Sequence, residues 1–475
     1  MRILLVQPSC AKEIDKEYLS LQFPLNLGYI ASSLRQAGHE VCLLDFNVME
    51  RDLFLENISE FKPQAIGLTS MTSTLENAME LIREAKKINA KIITILGGVH
   101  ASALPRETME EITELDYLVF GEGEVTSVEL ATCLEKGGSL SEIKGIVYRK
   151  DGQIIKNEPR ELIEDISTIP FPARDLVPVE LYAKQHVTRG FSRREMRIVE
   201  FFTSRGCPNQ CIFCAGHINY GMRLRFRSYE NIVQELNECI TKYGITHVSI
   251  EDDTFTINKV LVRSLCVFFK NHNLTWNCYA RVNTVNFELL KMMADNGCKK
   301  IAFGVESGSP EILIKNKKGI LVEQAVEAIK NAKKASIRYV ECDFLIGSHI
   351  DETLEDVEKT RKFIFKLMPD FLALSVMCPY PGTEIYQMML SGGLLDKRPD
   401  WSRFVVYGNV KRYERITYLN SEQMIKLQHG ILKEYYSSPK YIMSQVVQIR
   451  SWKEIKYFSK LGIIFFKSFI LNIGN

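Results

Sequence analysis

The sequence predicts an α/β protein of several domains, with parallel sheets covered by helices and a helical carboxyl-terminal region. Short apolar runs alternate with segments in which apolar residues recur at helical spacing, the pattern of parallel strands joined by helices. The chain has 475 residues, more than one core normally supports, so we expect two or three domains. Its composition, 46% hydrophobic and 25% charged, is ordinary for a globular protein.

Residues 1 to about 140 are predicted to form a Rossmann-like domain. The predicted strands are Arg2–Gln7, Glu40–Asp45, Ala65–Ser70, Ile92–Gly97 and Tyr117–Phe120, with helices such as Leu27–Ala37 and Leu75–Lys87 between them. Ligands of open parallel sheets bind beyond the carboxyl ends of the strands. Small residues lie at these ends, and Ser70, Gly97, Gly98 and Gly121 are therefore candidate binding residues. No GxGxxG follows the first strand, so a dinucleotide is not expected.

Residues 141–194 are interpreted as a connector. Asp151-Gly152 between two β-prone runs predicts a hairpin. The segment Ile169-Pro-Phe-Pro-Ala173 predicts an extended linker, because proline restricts its own backbone and that of the preceding residue.

Residues 195–400 are predicted to form six parallel strands joined by helices, closing partly into a (β/α)6 barrel whose site lies at the carboxyl ends of the strands. The predicted strands are Ile198–Ser204, His247–Asp252, Trp276–Arg281, Lys300–Gly304, Tyr339–Ile346 and Phe371–Met377. Residues 401–475 are predicted to be helical, because Met424, Leu427, Ile431 and Tyr435 recur at helical spacing.

Three cysteines, Cys207, Cys211 and Cys214, follow the first predicted strand of the barrel. Three thiolates can hold three irons of a cubane and leave the fourth open for chemistry. The alternative is a closed zinc site, which uses four Cys or His ligands in paired spacings. No second pair lies nearby, although His217 is available, so the spacing favours an iron–sulfur cluster.

With Phe213, these cysteines spell Cys-x3-Cys-x-aromatic-Cys, and the chain here resembles the radical S-adenosylmethionine (SAM) enzymes. The resemblance implies a [4Fe–4S] cluster that cleaves SAM to a 5′-deoxyadenosyl radical. It also implies SAM contacts at Glu251, Asp252, Asp253, Glu306, Ser307 and Gly347. Arg281 either pairs with the SAM carboxylate or neutralises Glu251 or Glu306.

The amino-terminal domain resembles the cobalamin-binding domain that precedes many radical SAM modules. The similar segments contain Gly28, Gly97-Gly98-Val-His100 and Gly121-Glu122. The Asp-x-His-x-x-Gly motif is absent, so the resemblance implies base-off cobalamin without a motif histidine on cobalt. His100 is interpreted as a loop histidine that binds backbone or the tail of the cofactor.

Charge, cysteine content and the tail bear on partners and location. The net charge of +2 gives no support for nucleic-acid binding. Twelve cysteines without an apparent secretory signal indicate a reducing cytoplasm. The tail, Leu461–Leu471, is apolar and preceded by lysines, so it either lies on a membrane surface or docks on its own domain; docking is favoured.

The two resemblances together imply methylation of an unactivated carbon, or of a phosphinate phosphorus, in a small-molecule or lipid substrate. They also imply an electron donor such as flavodoxin or ferredoxin. An anaerobic oxidative cyclase of the magnesium-protoporphyrin monomethyl ester type is the alternative enzyme. A non-catalytic corrinoid sensor or carrier is the alternative outside enzymes, and the complete cysteine triad argues against it.

Overall fold

The computed structural model describes residues 1–9, 22–183, 196–405 and 419–449, together with residues 452, 455 and 459. In these ranges, seven strands form a first sheet: β1 (Arg2–Gln7), β2 (Glu40–Asp45), β3 (Ala65–Thr69), β4 (Ile93–Gly97), β5 (Tyr117–Val119), β6 (Ile146–Lys150) and β7 (Gln153–Lys156). The helices of this part are α1 (Leu25–Gln36), α2 (Leu53–Glu60), α3 (Leu75–Ile88), α4 (Val99–Ala103), α5 (Pro105–Glu111) and α6 (Gly123–Lys136).

The first sheet has the order β2-β1-β3-β4-β5-β6-β7, and β1 to β5 pair in parallel. Both faces of the central strands are covered. In β1, Ile3 and Leu5 pack in the core beneath α1, whereas Leu4 and Val6 pack in the core on the opposite face. This two-sided burial explains why the strand is a continuous apolar run.

The predicted hairpin extends the first sheet instead of standing apart from it. β6 pairs antiparallel with both β5 and β7, and the turn between them places Asp151 at φ 51° and Gly152 at φ 76°. Two successive positive φ angles are the geometry of a hairpin turn with Asp-Gly. The domain limits at about residues 140, 194 and 400 stay predictions.

After α7 (Val179–Ala183), a second sheet contains the strands β8 (Ile198–Phe201), β11 (His247–Ile250), β12 (Thr275–Ala280), β13 (Cys298–Glu306), β14 (Tyr339–Ile346) and β15 (Phe371–Val376). A two-stranded ribbon contains β9 (Ser204–Arg205) and β10 (Arg225–Phe226). The helices are α8 (His217–Tyr220), α9 (Tyr229–Tyr243), α10 (Lys259–Asn271), α11 (Phe287–Asp295), α12 (Pro310–Lys315), α13 (Val322–Lys334), α14 (Leu354–Leu367) and α15 (Glu384–Ser391).

The six strands of the second sheet are all parallel and lie in chain order, β8-β11-β12-β13-β14-β15. β8 and β15 are its two edges, so the barrel is open on one side, as the sequence predicts. The α/β class, the parallel-sheet first domain and the partial barrel are thereby confirmed.

Two further helices, α16 (Ser421–Ser437) and α17 (Pro439–Gln448), cover the edge strand β15. Tyr436 Oη donates to Leu372 O at 3.1 Å, and Gln428 Nε2 donates to Leu374 O at 2.6 Å. These side chains donate hydrogen bonds to backbone carbonyls of the edge strand, which would otherwise be free to pair with another strand. Residues Leu461–Leu471 lie outside the described ranges, and no helix within those ranges is long and apolar enough to cross a membrane.

Candidate active site

The three cysteines lie on a loop at the carboxyl end of β8, closed at its base by the β9–β10 ribbon. Cys207 N donates to Gly221 O at 3.3 Å. Gly206 has φ +86°, and a Cβ on it would lie 2.3 Å from Arg223 O. The loop therefore requires glycine immediately before its first cysteine.

Each thiol has a nearby hydrogen-bond donor. Asn209 Nδ2 donates to Cys207 Sγ at 3.3 Å, and Gly216 N donates to Cys214 Sγ at 3.4 Å. The buried Arg281 guanidinium lies 3.9 Å from Cys211 Sγ through Nη1. Burial raises the pKa of the Cys214 thiol to about 11, so a positive centre is needed to hold it as thiolate. Three thiols on one loop with these donors fit an iron–sulfur cluster.

A single-metal site has less support. In the described ranges, no three His, Cys, Asp or Glu side chains are arranged to hold one metal ion. A tetrahedral zinc site would bring four such ligands to about 2.0–2.3 Å from one centre. A cubane instead distributes three thiolates over three corners.

Of the three predicted carboxylates, Asp252 is a buried anchor. Its carboxylate accepts hydrogen bonds from Thr203 N at 2.7 Å, Thr203 Oγ1 at 2.5 Å and Ser204 Oγ at 2.5 Å. Burial raises the pKa of Asp252 to about 6 despite these donors. Asp252 thus holds the strand that enters the cysteine loop.

The two neighbouring carboxylates, Glu251 and Asp253, have different surroundings from Asp252. Glu251 accepts from Ser249 Oγ at 2.5 Å and from Gln22 Nε2 at 3.1 Å. Asp253 is exposed and borders the cysteine loop, since a Cβ on Gly216 would lie 3.5 Å from Asp253 Oδ2. Asp253 is therefore the anionic acceptor of this trio that faces the cluster loop.

Glu306 lies at a bulge in β13 with φ +70°, where register with β14 shifts. Lys318 Nζ donates to Glu306 Oε1 at 2.7 Å, and both side chains are buried. Arg281 Nη2 donates to the carbonyl of Lys318. Arg281 therefore lies between the Lys318 carbonyl and the Cys211 thiol. Ser307 is fully buried, and its hydroxyl bonds Thr360 Oγ1 at 3.1 Å.

A polar chain joins the cluster loop to the end of β14. Ile212 N donates to Asn316 O at 3.2 Å, Asn316 Nδ2 donates to Ser348 Oγ at 2.7 Å, and Ser348 N donates to Glu352 Oε2 at 2.6 Å. Gly347, with φ 73°, turns the backbone into this segment. Burial raises the pKa of Glu352 to about 7. These hydrogen bonds fix the cysteine loop to the segment that follows β14.

The first domain contains an open cleft between its sheet and helices α1 and α6. The cleft borders β1 and β3, where the strand order reverses and ligands of doubly wound sheets bind. Asn219 and Tyr220 of α8 also line it. Asn219 Oδ1 is buried and has no hydrogen-bond partner in the described ranges. A ligand rich in amide donors, as cobalamin is, would supply one.

Glycines shape the floor of this cleft. Gly98 has φ +99°, and a Cβ there would lie 2.5 Å from Ser70 O. Gly97 and Gly121 also line the cleft, and a Cβ on Gly121 would meet nothing within 4 Å. Ser70 is buried, and its hydroxyl donates to Gly97 O at 3.2 Å. Ser70 thus supports the glycine loop from beneath.

Two predicted cobalamin contacts lie away from this cleft. Gly28 faces Phe23 and Pro172, because a Cβ there would lie 2.5 Å from the Phe23 ring. His100 is 1% exposed and packs edge-on against Trp401 at 4.7 Å. Burial lowers the pKa of His100 to about 3, so the imidazole is neutral.

Glu122 borders the cleft, but both its carboxylate oxygens bind arginines of the ribbon. Arg205 Nη1 donates to Oε1 at 2.9 Å, and Arg225 Nη1 donates to Oε2 at 2.8 Å. Glu124 Oε1 accepts from Arg205 Nη2 at 2.5 Å. All four side chains are buried, so this network joins the two domains.

Sequence reasoning missed Lys318, Asn219, Arg205 and Arg225. No local pattern marks a lysine in the turn after α12 as the partner of a glutamate on β13. The nearest signal for Asn219 and Tyr220 was their position just after Cys214, which places them wherever the cluster loop leads.

The comparisons with known proteins agree with this geometry. The B12 binding domain profile matches residues 16–131, and the Radical SAM superfamily profile matches residues 201–364. The chain is 34% identical to an uncharacterized methyltransferase of Pyrococcus horikoshii, over 94% of this chain and 95% of that protein.

Two further relatives carry different activities in their names. A cytidylyl-2-hydroxyethylphosphonate methyltransferase of Streptomyces wedmorensis is 26% identical over 83% of each chain. An anaerobic magnesium-protoporphyrin IX monomethyl ester cyclase of Rubrivivax gelatinosus is 25% identical over 82% of this chain and 70% of its own.

Among solved structures, the fold is similar to the cobalamin-dependent SAM radical enzyme OxsB with aqua-cobalamin and SAM bound. The TM-score is 0.74 at 18% identity, covering 97% of this chain and 70% of that one. The two profiles indicate cobalamin and SAM as cofactors of the present chain. The chain therefore belongs to the cobalamin-dependent radical SAM enzymes.

Proposed function

We propose that this enzyme methylates an unactivated carbon, or a phosphinate phosphorus, of a small-molecule or lipid substrate. The position of α8 supports the proposal. This helix begins three residues after Cys214, and its Asn219 and Tyr220 line the cleft of the first domain. The cluster loop and the cobalamin cleft therefore share a wall, as transfer between two cofactors requires.

The chain's own residues have distinct tasks in this reaction. A bound [4Fe–4S] cluster would supply the electron for SAM cleavage, and bound cobalamin would supply the methyl group. Cys207, Cys211 and Cys214 hold the cluster. Asp253 accepts hydrogen bonds from the SAM ammonium, because it is the exposed carboxylate beside the cluster loop. Arg281 stabilises negative charge near Cys211.

The ion pair of Glu306 and Lys318 lies next to Arg281, which donates to the carbonyl of Lys318. Their ion pair spans the backbone at Gly304, since a Cβ there would lie 2.6 Å from Glu306 Oε1. A carboxylate held by lysine remains an acceptor for a ribose diol through its second oxygen. We assign the ribose contact to Glu306 on this basis.

An oxidative cyclase is the second candidate, because the named cyclase relative aligns with most of this chain. The two functions differ in product: a methylase adds one methyl group and releases S-adenosylhomocysteine, whereas a cyclase forms a ring without methyl transfer. The same residues would generate the radical in both.

The reducing electron would come from a small redox protein such as flavodoxin or ferredoxin, in a reducing cytoplasm. The thiol chemistry supports this location, since every cysteine that the structure describes is a free thiol.

The test is anoxic reconstitution with iron, sulfide and hydroxocobalamin, then mass spectrometry after addition of SAM and reductant. A methylase yields 5′-deoxyadenosine and S-adenosylhomocysteine, and a cyclase yields deoxyadenosine alone. Cys207→Ala, Cys211→Ala and Cys214→Ala should abolish deoxyadenosine and retain corrinoid, whereas Cys133→Ala, in the first domain, should retain both. Cleavage in all three loop variants would refute the cluster assignment.

A further inference from the structure

The last described helix, α17, turns its apolar side chains outward. Ile442, Met443, Val446 and Val447 are 50%, 63%, 55% and 77% exposed. Its inner face instead carries Tyr441 and Gln445, both buried. A helix at the surface of a globular domain normally has the reverse arrangement.

Packing fixes this outward orientation. Tyr441 Oη donates to Asp370 O at 3.0 Å, and the Tyr441 ring packs on Tyr435 and Tyr436 with centroids 5.1 Å and 5.0 Å away. Ser438 Oγ caps the helix by accepting from Tyr441 N at 3.2 Å. Rotation of α17 to bury its valines would break these contacts.

The charge of this part of the chain is strongly one-sided. From residue 439 onward there is one anion, Glu454, against the cations Lys440, Arg450, Lys453, Lys456, Lys460 and Lys467. The whole chain has a formal net charge of only +2. Trp452, four residues after α17 in the chain, is 85% exposed. Apolar and aromatic side chains interspersed with lysines are the composition of segments that lie on anionic membranes.

We propose that α17 docks this enzyme onto the surface of an anionic lipid bilayer. The exposed valines, Ile442 and Met443 would enter the boundary between headgroups and acyl chains, and the cations would bind lipid phosphates. A second copy of the chain is a poorer occupant, because two surfaces of the same positive charge repel each other.

The position of α17 is compatible with catalysis on the membrane. Asp370 precedes β15, so its contact with Tyr441 places α17 at the amino ends of the barrel strands. The cysteine loop follows the carboxyl end of β8. Docking would therefore leave the mouth of the barrel open to substrate and to an electron donor.

The experiment is co-sedimentation of the reconstituted full chain with vesicles of phosphatidylcholine, with or without about one quarter phosphatidylglycerol. We expect binding to the anionic vesicles and at least tenfold weaker binding in high salt. Val446→Ser with Val447→Ser should also weaken binding at least tenfold. The matched control is Ile314→Ser, which removes an equally exposed side chain, 77%, from α12 and should change nothing.

Three outcomes would overturn the proposal. One is no difference between the two kinds of vesicle, and another is unchanged binding by the double valine variant. The third is that, without lipid, the chain dimerises with rising concentration or residues 439–448 are protected from hydrogen exchange, and that the valine variant abolishes this behaviour. Dimerisation would show that a second copy covers the helix, and protection would show that the tail covers it. Deoxyadenosine formation by the valine variant should equal that of the parent, which keeps this test separate from the methylase proposal.

Discussion

Arg205 Nη1 donates to Glu122 Oε1 at 2.9 Å, and this buried pair joins the two cofactor domains. Arg205 lies two residues before Cys207, and Glu122 immediately precedes α6, which borders the cobalamin cleft. Arg225, on the second strand of the ribbon, binds the same carboxylate. The base of the cluster loop and the wall of the cleft are therefore fixed to each other.

We expect Arg205→Ala to lower the free energy of unfolding by about 3–5 kcal/mol, because it leaves Glu122 and Glu124 buried with less compensation. The control is Arg223→Ala, whose ion pair with Glu164 is exposed and should be worth less than about 1 kcal/mol. Urea unfolding of the apo chain measures both. Equal losses of unfolding free energy in Arg205→Ala and Arg223→Ala would contradict a stabilising role for the buried network between the domains.

Asp252 and Asp253 should separate stability from SAM binding. Asp253→Asn should weaken SAM binding about tenfold, because an amide replaces the anion beside the ammonium. Asp252→Asn should instead cost about 2 kcal/mol of unfolding free energy, because three donors lose a charged acceptor. Equilibrium dialysis of SAM and urea unfolding would distinguish them. The reverse pattern would exchange the two roles.

Gly98→Ala should abolish corrinoid retention, because a Cβ would lie 2.5 Å from Ser70 O at the floor of the cleft. Gly38→Ala is the control, with a similar φ of +90° but nothing within 4 Å of its Cβ. It should cost only about 1 kcal/mol of backbone strain. Corrinoid absorbance after gel filtration reports retention, and loss in both variants would point to strain alone.

His100 should make the protein less stable in acid. In the folded protein the pKa of His100 is lowered to about 3. The contribution of neutral His100 to the free energy of unfolding is therefore fully present above the pKa of the unfolded chain, and it is lost as the pH falls below that pKa. Between about pH 7.5 and about pH 5 this loss is about 2 kcal/mol. His100→Phe keeps the ring against Trp401 and removes the titration, so urea midpoints should fall less with acid. Identical slopes for both proteins would contradict the prediction.

The sequence by itself determined the fold class and the close spacing of the three cysteines that we propose as cluster ligands. The strand pattern of β1 is local, because both faces of the strand are buried and its apolar run is continuous. Cys207, Cys211 and Cys214 lie within eight residues, so their covalent spacing already brings the thiols together. Profile matches to both domains confirm the family that these patterns indicated.

Only the tertiary structure decided how adjacent residues of the same type differ in burial and in contacts. Asp252 and Asp253 are chemically alike in sequence, and packing alone buries one and exposes the other. Glu122 is predicted as a cofactor contact from its place after Gly121, and only packing set Arg205, 83 residues away, against its carboxylate. Such pairs depend on how distant elements pack, and residue type and local spacing carry no information about that partner. The outward face of α17 was decided in the same way, by its contacts with Asp370 and the tyrosines of α16.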